Sequence, residues 1–189
     1  MKRWGLSLAC LLALTSCSGS PSPDLYTLAP APGAVVQTRK LSVELRRVGL
    51  AGYLDRPEIV HGTESYRLKL AGNDRWGEPL AGMLGRVLTE DLVERLPQAA
   101  VYTEAGAIST RPDTVLEIDI QRLDADADGT LVLLAQVAVR PDGGTAVAST
   151  IRLTAPLAAA PASTQAQVAA MSAVLGALAD RIAQMLQGG

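Results

Sequence analysis

The residues that could carry chemistry are few, and each lacks the partners that catalysis or metal binding would need. His61 is the only histidine, so it has no second imidazole with which to share a metal. Ser65 lies nearby, but it belongs to no Gly-x-Ser-x-Gly nucleophile elbow. A histidine at the surface or at the end of a strand is therefore favoured, and we predict that the protein is not an enzyme.

A run of acidic residues resembles the opening of a calcium-binding loop. Asp124, Asp126 and Asp128 alternate with alanine and precede Gly129. An EF-hand loop needs an acidic residue at about its twelfth position, and that position is Ala135 here. The phosphate-binding patterns Gly-x4-Gly-Lys-Ser/Thr and Gly-x-Gly-x-x-Gly do not occur either. The sequence favours a solvated hairpin turn, and we predict no metal and no cofactor.

Both cysteines belong to the N-terminal region. Residues 1–16 begin with two cations and continue with the apolar run Leu6–Leu14, which is typical of a secretory signal and contains Cys10. The sequence Leu14-Thr15-Ser16-Cys17 resembles the bacterial lipobox. That resemblance implies cleavage before Cys17, a diacylglyceryl group on its sulfur and an acyl chain on its new amine. An ordinary signal peptide with an incidental cysteine is the alternative.

The composition bounds the remaining chain. Removing 16 of the 189 residues leaves 173 and takes Lys2 and Arg3 away, so the net charge changes from −2 to −4. This mixed charge offers no basic field, and we predict no nucleic-acid partner. The apolar fraction of 48% excludes a disordered chain. With Cys17 lipidated, no thiol remains for a disulfide, so the hydrophobic core alone must hold the fold.

Periodicity divides the rest into a tether and one domain. Residues 17–33 are predicted to be the lipidated N-terminus and a Pro/Ser-rich tether, with a short edge strand at 25–28. The stretch from Cys17 to Asp24 reaches roughly 20–25 Å when extended. Residues 34–189 are predicted to form a single domain.

Within this domain, apolar patterning predicts several strands and two helices. Alternation predicts strands at Leu41–Arg46, Ser65–Leu70, Thr114–Leu123, Thr130–Arg140 and Thr145–Leu153, the last three joined by Asp-Gly turns. Helical spacing predicts helices over Glu78–Leu96 and from Ser163 or Thr164 to the end at Gly188-Gly189. On the first helix the charged residues, including Glu90, Asp91 and Arg95, are predicted to form a solvated face. The fold class is α+β: an antiparallel sheet, arranged as a meander, with two long amphipathic helices packed mainly on one face.

Two aperiodic segments are not explained by these elements. Tyr53–Val60 and Asp74–Pro79 combine aromatic, charged and proline residues. Packing is one interpretation, with Trp76 covering the start of a helix and Arg56 or Arg75 pairing with a carboxylate. A partner surface is the other, because Trp, Tyr and Arg are enriched in interfaces. Spacing alone favours packing.

The same segments carry a family resemblance. Tyr53-Leu54-Asp55-Arg56-Pro57-Glu58-Ile59-Val60 and Arg75-Trp76-Gly77-Glu78-Pro79-Leu80, behind a lipobox, resemble the PqiC/YmbA type of ABC-type transport auxiliary lipoprotein. The second motif departs at Gly77, where alanine is expected. The resemblance covers nearly all of the mature chain. The candidate partner-binding residues that it implies are Tyr53, Asp55, Arg56, Pro57, Arg75, Trp76 and Glu78.

The resemblance implies a non-catalytic function. A lipoprotein of this type would be an auxiliary or docking component of an ABC-type MCE (mammalian cell entry) lipid transport system and would support envelope integrity. Its partners would be an MCE-domain periplasmic protein with its ABC transporter, outer-membrane lipid and further copies of itself in a ring. Ser18 after Cys17 implies the outer membrane, facing the periplasm. The alternative function is a periplasmic lipid-binding carrier.

Overall fold

Nine strands and two helices make up the part of the chain that the computed structural model describes, residues 22–64, 66–108, 110–157 and 163–187. In chain order they are β1 (Leu25–Tyr26), β2 (Leu41–Leu45), β3 (Gly49–Leu50), β4 (Glu58–Glu64), β5 (Arg67–Trp76), α1 (Leu80–Arg95), β6 (Ala99–Thr103), β7 (Thr114–Ala125), β8 (Thr130–Pro141), β9 (Val147–Pro156) and α2 (Thr164–Gln187). All nine strands belong to one sheet. The predicted α+β class is confirmed.

The C-terminal strands form an antiparallel meander. β7 pairs with β8 along its length, and β8 pairs with β9 in the same way. The two connecting turns contain Gly129 and Gly143, with φ angles of +81° and +68°. Only glycine adopts this backbone conformation without a steric cost. The predicted meander is therefore present, but only in these three strands.

The opposite edge of β7 is occupied by three short strands in succession. β2, β3 and β4 all run parallel to β7, with Val43 opposite Thr114, Gly49 opposite Asp119 and Gly62 opposite Ala125. β2 is also parallel to β6, and β1 to β5. The sheet is thus mixed, and the predicted antiparallel sheet is wrong for these parallel pairs, although β4 and β5 are antiparallel. Alternation of apolar and polar residues indicates which face of a strand is buried but not the direction of the strand. The parallel pair β2 and β6 needs a crossover connection, which includes α1.

The two helices differ in length. α1 has 16 residues and α2 has 24, or about 24 Å and 36 Å. α1 starts directly after Pro79 and ends shortly before Pro97, which cannot continue a helix. They contact each other, while α1 also packs on β6 and α2 on β4, β8 and β9. The prediction of two long helices therefore holds in full only for α2.

α2 is long and apolar enough to cross a membrane by length and composition. Half of the window that meets this test is nevertheless buried inside the domain. Its buried residues include Val168, Met171, Leu175, Leu178 and Ile182, which recur at helical spacing. A core helix has the same composition, and we interpret α2 as one.

Residues 28–36, which we call the strap, lie across both helices. Leu28 is buried in the core. The hydrogen bonds of the strap to the helices run from Leu28 N to Met83 Sδ (3.1 Å), from Ala29 N to Ser172 Oγ (3.2 Å), from Ala31 N to Asp91 Oδ1 (2.8 Å) and from Val36 N to Arg95 O (2.7 Å). The part of the predicted tether that overlaps the strap, residues 28–33, is therefore packed against the domain.

Candidate docking surface

The two aperiodic segments meet in the structure. Residues 51–57 form a loop between β3 and β4, and the second segment forms the end of β5 and the start of α1. The Trp76 amide donates a hydrogen bond of 2.8 Å to the Pro57 carbonyl. Glu58 is paired with Arg75 in the β4–β5 ladder, with Arg75 Nε 3.9 Å from Glu58 Oε1. Backbone pairing therefore makes one continuous unit of two stretches that lie far apart in the sequence.

The N-terminal segment is bonded to the same unit. The Arg75 amide donates to the Asp24 carbonyl at 2.9 Å, and the Gly77 amide donates to the Tyr26 carbonyl at 2.8 Å. The Arg75 guanidinium turns back onto its own strand and donates to the carbonyls of Gly72 and Asp74, both at 2.9 Å. The chain that leads from Cys17 thus joins the fold beside the second motif. Cys17 itself lies outside the described residues.

The predicted site residues differ in exposure. Trp76 is only 6% exposed and belongs to the core. Tyr53, Arg56 and Arg75 are partly buried, and Asp55, Pro57 and Glu78 are exposed. We call the exposed and partly exposed side chains of this unit the motif surface: Tyr53, Asp55, Arg56, Pro57, Arg75 and Glu78. Trp76 can support this surface from beneath, but its side chain does not form part of it.

Glu78 is held by an ion-pair network at the start of α1. Arg86 donates to Glu78 Oε1 at 2.7 Å, to Glu90 Oε1 at 3.2 Å and to Thr27 Oγ1 at 3.3 Å. Pairs as exposed as these contribute little to stability. These pairs instead orient the Glu78 carboxylate toward α1.

Tyr53 is tied to the end of β7. Its hydroxyl donates a hydrogen bond of 3.0 Å to Oδ2 of the buried Asp124. Arg122 donates to Oδ1 of the same carboxylate at 2.6 Å and also pairs with Asp126. Burial, followed by the charge of Asp124, raises the pKa of Tyr53 far above its ordinary value. Tyr53 is therefore neutral at all physiological pH values and anchors the 51–57 loop.

The acidic run at the β7–β8 turn has structural partners. Asp124 accepts from Tyr53 and Arg122, and Asp128 Oδ1 accepts from the Thr130 amide at 3.0 Å. In the described ranges, no cluster of three or more His, Cys, Asp or Glu side chains is arranged to hold a metal ion. The run therefore forms a hairpin turn.

His61 joins β4 to the start of α2. Its Nδ1 contacts Gln167 Oε1, and its Nε2 lies 3.4 Å from Thr164 Oγ1. Gln167 in turn donates to the Val60 carbonyl at 2.8 Å. These contacts fix the helix start against the sheet and suit a structural role.

Sequence patterning missed a buried ion pair beneath the strap. Asp91 and Arg95 were predicted to lie on a solvated face, but they are 0% and 1% exposed, so that prediction is wrong. Arg95 donates to the carbonyls of Ala31, Asp91 and Gly176 at 3.0–3.1 Å and pairs with Asp180. Burial raises the pKa of Asp91, while the Ala31 amide and the Arg95 charge oppose this shift. No short-range pattern could reveal this burial, because the strap that covers the pair is about 60 residues away.

Two glycines let the strap approach this pair. A Cβ atom on Gly33 would lie 2.1 Å from the Arg95 guanidinium carbon, and one on Gly176 would lie 2.6 Å from Ala31 Cβ. Both distances are shorter than any that real side chains tolerate. Close packing of strap, Arg95 and α2 thus requires glycine at both positions.

Two open grooves are lined by residues outside the motif surface. One, of about 350 Å³, runs between α1 and the ends of β2 and β6 and includes Leu45, Val48, Ala81 and Gly85. The other, of about 610 Å³, crosses the outer face of β7, β8 and β9 and includes Glu117, Gln136 and Thr150. The first is mostly apolar with arginines at its rim, and the second is more polar.

Comparison with known proteins identifies relatives. Residues 26–183 match the family model described as the ABC-type transport auxiliary lipoprotein component. A search of curated proteins finds no match. An uncharacterized protein of known structure is 17% identical, with a TM-score of 0.73 over 88% of this chain and 99% of that one. A DUF330 protein from Xanthomonas campestris is 16% identical, with a TM-score of 0.66 over 86% and 94%. At these identities the likeness shows the fold alone.

Proposed function

Because this chain belongs to the family of ABC-type transport auxiliary lipoprotein components, we propose that it is the non-catalytic docking component of an MCE-type lipid transport system at the outer membrane. Family membership confirms the resemblance drawn from the two sequence motifs and the lipobox. The proposed arrangement has lipid on Cys17, the domain in the periplasm, and the motif surface toward an MCE-domain protein served by an ABC transporter. Assembly into a ring of copies is part of the same proposal.

The observation that carries the docking role is the backbone union of the two motifs. Trp76 N to Pro57 O and Arg75 N to Asp24 O tie both segments and the N-terminal chain into one unit. The core side chain Trp76 and the Tyr53–Asp124 hydrogen bond hold this unit from beneath. Carboxylates and arginines remain on its outside. A rigid, mixed-charge surface beside the anchored end of the chain suits recognition of a partner that comes from the other membrane.

Co-purification tests the proposal. The acylated protein, extracted in mild detergent, is expected to recover an MCE-domain protein. Reversing the charge of the exposed Asp55 (Asp55→Lys) should reduce that recovery. Asp142→Lys, in the β8–β9 turn, is the matched control, because it makes the same exchange at an exposed position far from the motif surface. Failure of the unsubstituted protein to recover any MCE protein would overturn the docking role.

The apolar groove beside α1 supports a second candidate function, a carrier of lipid. Its volume of about 350 Å³ lies within the range of small-molecule sites. A Cβ at Gly85 would lie 3.9 Å from Val48, so Gly85→Leu places a side chain into the groove. If the groove holds an acyl chain, native mass spectrometry should detect bound lipid on the protein and not on Gly85→Leu. Val93→Leu, an exposed position on α1 outside the groove lining, is the control.

A further inference from the structure

The hairpin of β4 and β5 extends past the point at which β4 pairs with β7. Gly62 is the last residue of β4 paired with β7. From there the hairpin continues through the pairs Thr63–Leu68 and Glu64–Arg67 without a described β7 partner. At about 3.3 Å per residue, these two pairs add roughly 7 Å of strand. The alternation of Ser65–Leu70 predicted a half-buried strand with Tyr66, Leu68 and Leu70 on one face, but all three side chains are exposed.

This hairpin carries an apolar surface. Tyr66 is fully exposed, and Leu68 and Leu70 are 40% and 39% exposed. These are three of the eight large hydrophobic side chains that are exposed in the described residues. Such clustering, as opposed to single scattered exposed residues, marks a contact surface.

The backbone conformation of Tyr66 also supports a contact surface at this hairpin. Its φ angle is +66°, in the left-handed region that costs a side chain with a Cβ about 1–2 kcal/mol. Asn or Gly would serve such a turn better. Because the fully exposed ring gains nothing from the domain, its use lies in a contact outside the chain.

The chain that leads to the anchor reaches this hairpin. β1 is parallel to β5, so the chain arrives at β1 from the side on which β5 begins, which is the hairpin end. Asp24 is seven positions after Cys17, and this stretch spans at most about 23–25 Å. Asp74 is likewise seven positions after Arg67 on β5, a distance of about 23 Å. The reach of the anchor thus matches the position of the exposed hairpin.

We infer that Tyr66, Leu68 and Leu70 insert into the headgroup region of the same phospholipid leaflet that holds the lipid on Cys17. Tyrosine is favoured at this depth, since its ring is apolar and its hydroxyl remains hydrated. The acidic β7–β8 turn lies at the same end, where Arg122 pairs with Asp124 and Asp126 and so offsets part of the negative charge. The inference rests on the anchor of the proposed function, and it gives the domain a second membrane contact that fixes its orientation.

Tryptophan fluorescence tests the contact, because Trp76 is the only tryptophan after residue 16 and is buried. Acylated Tyr66→Trp is placed in vesicles of phosphatidylethanolamine and phosphatidylglycerol with bromine on the upper acyl chains. We expect its added emission to shift to shorter wavelength and to be quenched by bromine. Leu68→Trp should respond in the same way. Val147→Trp, exposed at the far end of β9, should not respond.

Three outcomes would overturn the inference. If bromine affects Tyr66→Trp no more than Val147→Trp, the hairpin does not enter the membrane. If the added tryptophan is shielded from acrylamide but not quenched by bromine, a protein and not lipid covers the hairpin. The mass of the mature chain separates these results from failure of the proposed function. A chain without lipid on Cys17 would overturn both the proposed lipid anchor and the membrane contact of the hairpin. An acylated chain without quenching would overturn the membrane contact alone.

Discussion

Replacing Arg95 with methionine tests whether the buried ion pair holds the strap to the helices. The substitution keeps most of the side-chain volume but removes the hydrogen bonds to the carbonyls of Ala31, Asp91 and Gly176. It also leaves the Asp91 carboxylate buried with only the Ala31 amide as a donor. Removing one member of a buried pair costs about 3–5 kcal/mol. For a chain of this length, that loss lowers the melting midpoint by roughly 6–20 °C.

The loss should depend on pH with a defined sign. Burial already raises the pKa of Asp91, and Arg95 opposes that rise. Without Arg95 the pKa rises further, so the folded state binds a proton more tightly than the unfolded state does. A group of this kind destabilises the fold increasingly as pH increases from its unfolded pKa toward its folded pKa. The deficit of Arg95→Met should therefore be larger at neutral pH than near about pH 4.

Urea denaturation at both pH values measures this deficit. Arg86→Met is the control, since Arg86 is an exposed arginine on the same helix whose pairs should contribute less than about 1 kcal/mol. The double variant Asp91→Leu/Arg95→Met should recover most of the loss, because no charge then remains buried. A loss below about 1 kcal/mol for Arg95→Met would refute the role of the pair, as would a double variant no more stable than the single one.

Three further predictions concern single positions. Gly82→Ala should stabilise the protein by about 1 kcal/mol in urea denaturation, because Gly82 lies inside α1 with no atom near an added Cβ. A lower stability of this variant would show that the added methyl group meets a neighbour. Tyr53→Phe should cost about 1–3 kcal/mol by removing the donor to buried Asp124, and an unchanged stability would mean that Arg122 alone satisfies that carboxylate. Tyr66→Gly should raise the melting midpoint by roughly 2–4 °C, since glycine suits the positive φ, and a lower midpoint would show that the ring packs on the domain.

Local signals predicted the elements that depend on local chemistry. The Asp-Gly turns at Gly129 and Gly143 indicated the β7–β8–β9 meander, and both glycines have the positive φ that this requires. Pro79 and Pro97 bracketed α1 to within two residues. In each case one residue type has a restricted backbone, so the pattern alone is sufficient.

Contacts between distant segments could not be predicted in this way. The parallel direction of β2 beside β7 leaves no trace in alternation, which is the same for either direction. The charged spacing of Asp91 and Arg95 looks like that of a solvated helix face, and only the strap changes its environment. At the motif surface, the sequence singled out both segments, but it could not show that Trp76 is buried or that Tyr53 bonds to Asp124.

The short strand β1 has a mechanical consequence. In the proposed arrangement, tension from a lipid on Cys17 would pull the chain along β1, across the hydrogen bonds that Arg75 donates to Asp24 and Gly77 donates to Tyr26. Loaded in this way, the bonds resist together, whereas a perpendicular pull would break them one after another. Behind them, the strap passes over both helices and is held by Arg95. Force on the N-terminal end would thus be transferred to the helix pair, and the motif surface would keep its shape under that force.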